Sequence, residues 1–366
     1  MSFELIKPDI NINFIGRRHI TFAVVALVMC ICLGSIIFKG LEMGIDFAGG
    51  LGVQVRFSEN VQPDQIRQAM EQANLPIPSI QTIGDASDNE FLINLQVSEE
   101  IESNIATQTS LSQQVTDSLF AFFGREKVDI RQVEMVGPRV GLDLRQKALS
   151  ALFYSMLMIL IYISGRFENK WGTSAAFVGA LLGVIYLASL AGISMSYLII
   201  LAVIVTIILC YCFKFEFALG AILSLLHDVI FTVGVFSLMD KEITLSFVAA
   251  ILTIVGYSLN DTIIIYDRIR EHAQKSRKGD YAETINRSIN QTLSRTVLTS
   301  GSTLIVILAL YLFGGQVKDF ALALLIGIGV GTLSSIFVSA PALLLWSNPK
   351  SLLPDDSGNQ LQPKTV

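Results

Sequence analysis

The chain has 366 residues, of which 52% are hydrophobic and only 16% charged, with a formal net charge of −5. Soluble domains carry about 25% charge, so the deficit excludes one compact soluble core, and the small net charge without a Lys/Arg-rich block argues against a nucleic-acid partner. The four cysteines, Cys30, Cys32, Cys210 and Cys212, all lie in apolar runs, so neither a disulfide framework nor a metal site is expected, and no cofactor is.

Residues 20–38 form the first apolar run, behind Gly16-Arg17-Arg18-His19. The run is about long enough to cross a bilayer. A secretory signal has a shorter apolar core and a small-residue cleavage site, so this run reads as an uncleaved span. Residues 40–140 then show a soluble pattern. Gly52–Ser58 alternates as a strand does, and Pro63–Asn74 has the helical spacing Ile66, Met70, Ala73. Ser79–Ile83 and Phe91–Val97 read as strands. Ser103–Phe123 reads as a helix with Leu111, Val115, Leu119 and Phe122 on one stripe, and Val128–Val136 as a closing strand. The order β-α-β-β-α-β predicts a split βαβ, ferredoxin-like domain.

Further apolar runs lie near 148–164, 172–191, 195–213, 217–238, 244–266, 296–313 and 320–346. The expected fold class is an α-helical polytopic membrane protein of about eight transmembrane helices with one extracytoplasmic α+β domain. Arg17, Arg18, Arg166, Lys170, Lys214, Lys350 and the basic stretch from Arg268 to Arg295 fall on one side; the opposite short loops hold only Lys241 and Lys318, each beside acids. The excess of Lys and Arg places both termini in the cytoplasm and 40–140 outside. The cytoplasmic connection 267–295 carries Ala282, Ile285 and Ile289, which suit either a short amphipathic helix at the interface or a basic tether. The expected parts are the first span to residue 39, the domain 40–140, a second span 141–164, a hairpin 165–213, a four-helix core 214–346 and a tail 347–366. The hairpin stands apart because Gly165-Arg166-Phe167-Glu168 resembles Phe213-Lys214-Phe215-Glu216. Duplication explains this, as does the common aromatic-plus-cation interface anchor.

Ionisable residues inside a membrane are functional candidates by default. Gly220, Ser224, Asp228 and Thr232 repeat every four residues, with His227 beside them, which places them on one helix face. Thr253, Gly256, Tyr257, Asn260 and Asp261 form a second stripe, and Thr292, Arg295, Thr296, Thr299, Ser302 and Thr303 a third. Gly327 and Gly331 make a GxxxG pair that permits close helix approach. Three polar faces turned inward could line a hydrated path. Asp261 is the sharpest candidate, since burial and a cation such as Arg295 pull its protonation in opposite directions; a static ion pair is the plainer reading. His227 could relay protons or simply bond Asp228. Asp267 and Arg268 mark the wet end of the sixth span. Gly49 and Gly50 join the first span to the domain as a hinge or as a tight turn.

Five motifs then point to a family. Gly256-Tyr257-Ser258-Leu259-Asn260-Asp261-Thr262 with Asp267-Arg268-Ile269-Arg270-Glu271 closely resembles the SecD/SecF family of bacterial protein export, in the RND superfamily, and its SecF branch in particular. Gly44-Ile45-Asp46-Phe47-Ala48-Gly49-Gly50, Val136-Gly137-Pro138-Arg139-Val140-Gly141, Phe215-Glu216-Phe217-Ala218-Leu219-Gly220 with Leu226-His227-Asp228, and Ser294-Arg295-Thr296-Val297-Leu298-Thr299-Ser300 match in order. The resemblance leaves out 165–213 and the tail, and the family usually has six spans rather than eight. It implies an inner-membrane subunit, not an enzyme, that pairs with SecD and acts with the SecYEG channel, SecA and YajC on unfolded exported protein. Proton flow would drive it, through Asp261, Asn260 and Arg295, with His227, Asp228, Ser258 and Thr299 as a secondary polar path. Asp46, Phe47, Gly49 and Gly50 would form the hinge and domain junction. RND-type machines have two such halves, so a partner is expected to supply the other. An RND-type exporter of small molecules or lipids is the alternative, though a small domain leaves little room for the apolar pocket it needs. A structural scaffold would read the polar stripes as helix glue.

Overall fold

The computed structural model describes residues 11–83, 88–96, 105–190, 195–275 and 281–346. Helix α1 (Arg18–Gly34) ends in a π turn, Ser35–Lys39. A single helical turn, α2 (Ile45–Ala48), then leads into the soluble part: β1 (Gly50–Phe57), α3 (Pro63–Gln72), β2 (Ser79–Ile83), β3 (Glu90–Gln96), α4 (Ile105–Phe123) and β4 (Val128–Val136). The sheet order is β2-β3-β1-β4 with every neighbouring pair antiparallel. Thus α3 joins two strands that have β3 laid between them. Pro63 opens α3 behind a capping box in which Gln62 and Gln65 satisfy each other's backbone.

Leu51, Val53, Val55 and Phe57 alternate along β1 and pack with Ile66, Met70, Phe91, Ile93, Leu95, Val115 and Leu119. Each such burial contributes about 1.5–3 kcal/mol. Two expected stripe positions differ. Ala73 is the exposed C-cap of α3, because the helix ends at Gln72, and Ala69 fills the core instead. Phe122 is exposed, and Phe123 one position on packs against Phe57 with the rings tilted at 60°. Val97 and residues 97–104 lie outside the described residues.

The bundle comprises α5 (Pro138–Glu168), α6 (Trp171–Leu190), α7 (Met195–Cys212), α8 (Glu216–Leu238), α9 (Leu245–Lys275), α10 (Tyr281–Phe313), α11 (Lys318–Ser334) and, after a π turn at Ser335–Ser339, α12 (Ala340–Trp346). Seven helical stretches among the described residues are long and apolar enough to cross a membrane, the last running through α11 and α12. The fourth expected run, 195–213, falls short: its apolar part, Tyr197–Cys212, lies below that length.

Two boundaries are corrected. The second span starts at Pro138, well before the apolar run, because Pro at the first helical position sets its N-terminus. The described parts of the connection 267–295 are helical rather than a loose tether, and they belong to the two flanking long helices rather than to a separate short one. Its first part continues α9 to Lys275, and from Tyr281 it is one helix with the seventh span. Ile285 and Ile289 are fully buried in the bundle core with Leu293 and Ile15. Asn286 accepts the Phe14 N–H at 2.8 Å and Asn290 that of Ile12 at 2.8 Å, tying the N-terminal segment to α10.

The hairpin α6–α7 packs on the bundle through Val178, Leu181, Ile185, Leu198 and Ala202, against Phe153 and Leu157 of α5 and Ile222 of α8. The two matching junctions meet where it departs and returns. Glu168 accepts the Phe217 N–H at 2.9 Å, at the start of α8, while Lys170 donates to the carbonyls of Phe213 and Lys214 at the end of α7. Arg166 pairs with Asp267 at 2.5 Å on the exposed rim.

Candidate functional site: two carboxylate cages in the bundle

The polar face of α8 turns inward as its four-residue spacing predicts. Ser224, Asp228 and Thr232 are all buried, Asp228 with 0% exposure. Asp228 Oδ2 accepts from Ser258 Oγ of α9 at 2.6 Å and from Ser334 Oγ of α11 at 2.9 Å; Oδ1 lies 3.0 Å from His227 Nδ1. Ser224 in turn donates to Ser334 at 3.0 Å. Both oxygens of this carboxyl thus have a polar neighbour, as a buried polar group needs.

GxxxG makes the cage possible. A Cβ on Gly331 would stand 2.9 Å from Ser258 Cβ and 3.3 Å from Asp228 Oδ2, and one on Gly327 would run into Ile254. Only glycine lets α11 approach α9 closely enough for Ser334 and Ser258 to share one acceptor.

Asp261, one turn along α9 from Ser258, is 1% exposed and built differently. Its Oδ2 accepts one hydrogen bond, from Ser300 Oγ of α10 at 3.1 Å; Thr332 of α11 donates to that same hydroxyl at 2.8 Å. Its Oδ1 is buried with no hydrogen-bond partner among the described residues, and neither has the buried Thr296 Oγ1. A buried polar atom without a partner carries a desolvation cost of about 1–3 kcal/mol. Asp261 is therefore a carboxyl with one oxygen left unpartnered, beside one whose two oxygens both have neighbours.

The other expected residues split by face. The second stripe does not turn in as a unit: Thr253, Gly256 and Asn260 are exposed, whereas Ile254, Ser258, Asp261 and Ile265 face the core. On α10 the inward row is Thr292, Thr296 and Ser300. Arg295 and Ser302 are exposed, and Thr299 is half-buried, bonding the Arg295 carbonyl of its own helix at 2.9 Å. Arg295 makes no ion pair with Asp261. Tyr257 spans to α10, with its hydroxyl 3.0 Å from Thr303 Oγ1. Sequence reasoning missed Ser300, Thr332 and Ser334. The four-residue row from Thr292 through Thr296 to Ser300 was the available signal for the first; the others sit in an α11 marked only by its glycines.

At the domain junction Asp46 Oδ2 accepts the Leu245 N–H at 2.8 Å and so caps α9. Phe47 is buried against the bundle. Gly49 takes φ 75° and lies against Pro138, where a Cβ would come within 2.6 Å of the Pro138 Cα. That is a tight turn packed on the start of α5, with Gly50 already in β1. Among the described residues no group of three His, Cys, Asp or Glu side chains could hold a metal ion.

Comparison with known proteins adds to this geometry. The family described as protein export membrane protein SecD/SecF, C-terminal, matches residues 114–207 and 188–349, and the SecD/SecF GG motif family matches 34–61. The protein translocase subunit SecF of Magnetococcus marinus is 40% identical over 336 residues, 92% of this chain and 92% of that one. The protein translocase subunit SecF of Haemophilus influenzae is 37% identical over 328 residues, 89% of this chain and 83% of that one. The crystal structure of SecDF, a translocon-associated membrane protein, from Thermus thermophilus superposes with a TM-score of 0.71 at 32% identity. The match covers 93% of this chain and 39% of that one, so the chain spans well under half of the solved SecDF chain.

Proposed function

Because the chain belongs to the SecD/SecF family of protein-export membrane proteins, we propose that it works as a SecF-type translocase subunit that promotes export through SecYEG, driven by protons that load and unload at Asp261. The observation that carries the reading is the asymmetry of the two cages. Each oxygen of Asp228 has a polar neighbour, whereas Asp261 has a buried oxygen with none among the described residues, open to a proton or a water. One charge moving through 100 mV releases about 2.3 kcal/mol, so a few protons per cycle suffice to shift a conformational equilibrium. Ser300 and Thr332 are the hydroxyls positioned to hand a proton on, and Asn260 and Arg295 stand on the adjacent exposed face. His227, Asp228, Ser258 and Thr299 are secondary: the first three hold α8, α9 and α11 together.

On the exposed side of α9 and α10, Thr253 and Ser302 bond carbonyls of their own helices, but Asn260 and Arg295 carry polar groups that lipid would leave unsatisfied. A second helical half with polar side chains fits this side, which supports SecD as the partner. SecA, YajC and the unfolded exported chain complete the assembly this reading proposes, in the bacterial inner membrane with both termini cytoplasmic. The sheet order β2-β3-β1-β4 supports a ferredoxin-like domain outside. Eight crossings fit as well, since α7 is 18 residues long and reaches about 27 Å at 1.5 Å per residue. A repeated hairpin would also account for one family description matching two stretches that overlap at 188–207.

The test is export of a secreted reporter into membrane vesicles holding SecD and equal amounts of wild-type chain or Asp261→Asn. The variant keeps shape and the Ser300 bond but cannot cycle a proton. Export should lose its gradient-dependent part; unchanged export removes Asp261 from the mechanism.

A further inference from the structure

β1 is buried on both faces. Its odd positions face α3 and α4, as alternation requires. Its even positions should meet water in a sheet covered on one side, yet Gln54 is 8% exposed and Asn94, paired with Gly52 across on β3, is 6% exposed. The membrane bundle covers them. Ile45 of α2 lies on Gly52, where a Cβ would come within 2.8 Å of its Cδ1. Gln316, between α10 and α11, donates to Gln54 Oε1 at 2.6 Å. Glu242 makes the central contact. It sits in the short connection between α8 and α9, the helices that carry Asp228 and Asp261, and is 6% exposed. Its carboxylate accepts from Ser79 Oγ of β2 at 2.6 Å and from Asn94 Nδ2 of β3 at 2.8 Å.

We propose that Glu242 is a positioning residue, the grip by which the loop joining the two acid-bearing helices holds the extracytoplasmic sheet in a dock that releases during export. Three features fit a contact that opens. The docked face is polar, as interfaces between mobile domains are. The neighbouring cations are engaged elsewhere, Lys241 with Asp319 at 2.7 Å and Lys39 with Asp240 at 2.8 Å, so neutral donors rather than an ion pair hold Glu242. Asn94 Oδ1 is buried without a partner among the described residues, which leaves the dock short of full satisfaction. Behind Glu242 the two segments make only a short parallel bridge, with Ile243 N–H to the Glu42 carbonyl at 2.7 Å and Gly44 N–H to the Ile243 carbonyl at 3.0 Å. Any tilt of α8 or α9 thereby reaches the sheet at Ser79 and Asn94.

Amide hydrogen exchange on the full chain with SecD in nanodiscs tests the dock without a proton gradient. Glu242→Ala should speed exchange at Gly44 and Ile243 by about tenfold or more, while the β1–β3 ladder at Leu51–Val55 keeps its wild-type protection. Glu242→Gln should restore slow exchange, since glutamine offers an oxygen to Ser79 and an amide to Asn94 Oδ1. Reporter export, the arm that rests on the reading of Asp261 above, should fall with alanine and recover with glutamine. Unchanged exchange at Gly44 and Ile243 would overturn the dock, as would equal loss of the β1–β3 ladder, which would make Glu242 part of domain folding. An undocked but fully exporting alanine variant would overturn the positioning role. Normal export by Asp261→Asn alongside a Glu242→Ala chain that undocks would sink the proton reading and leave the dock standing.

Discussion

Replacing Asp228 and Asp261 by alanine, one at a time, separates a carboxylate that holds the bundle together from one that does not. Asp228 is the acceptor for Ser258 and Ser334 and neighbours His227 Nδ1 at 3.0 Å. In Asp228→Ala, Ser334 keeps a second acceptor, the Gly331 carbonyl at 3.0 Å, but Ser258 and His227 are stranded. A buried donor left unsatisfied costs about 1–3 kcal/mol; Ser258 bears that in full, and the half-buried His227 adds to it where Nδ1 carries the proton. Asp261→Ala strands the buried Ser300 hydroxyl, at about 1–3 kcal/mol, but also removes a buried oxygen whose lack of a partner among the described residues costs about as much, so the two nearly cancel. Its cost is about 1 kcal/mol or less. Thermal unfolding in nanodiscs, followed with a thiol-reactive dye in a background where the exposed Cys30 and Cys212 are serine, reads both variants, because Cys32 and Cys210 are buried and label only on unfolding. The predicted order is Asp228→Ala far below Asp261→Ala, with the latter near wild type. Equal losses, or a wild-type midpoint for Asp228→Ala, would refute the division of roles.

Gly327→Val drives a side chain into Ile254 and should cost about 1–3 kcal/mol by overpacking; Ile254→Ala in the same chain should recover part of the lost thermal midpoint. Asp46→Ala removes the acceptor for the first N–H of α9 and should cost about 0.5–2 kcal/mol, whereas Asp46→Asn should stay close to wild type in the same melt. Arg166→Ala breaks an ion pair whose side chains are 42% and 44% exposed. It should change the midpoint by less than about 1 kcal/mol equivalent, and a larger loss would mean that the hairpin junction depends on it.

The strands and helices of the domain were legible because period-2 and period-3.6 patterns are short-range. Ser79–Ile83 and Val128–Val136 fall where the alternation puts them. The helices of the bundle overrun their apolar runs. α5 begins at Pro138 and α10 at Tyr281, since a helix continues through polar residues when its backbone stays bonded, and hydropathy marks only the part facing hydrocarbon. On α8 one inward face made the four-residue row at Ser224, Asp228 and Thr232 legible. On α9 and α10 polar residues occupy two faces, and spacing alone merged Asn260 with Asp261 and Arg295 with Thr296. Glu242 was invisible as a site, because in sequence it is one more charge in a short loop between two helices; only the tertiary approach of Ser79 and Asn94 sets it apart.

Infrared difference spectroscopy across a pH step, on the chain with SecD in lipid and with ¹³C-labelled aspartate, addresses Asp261 itself. The account predicts a carboxylic C=O band that grows and vanishes with pH, shifts with the label, persists in Asp228→Asn and is missing from Asp261→Asn. A difference spectrum that is the same with and without Asp261 would contradict it, because a side chain fixed in one ionisation state cannot carry protons across the bundle.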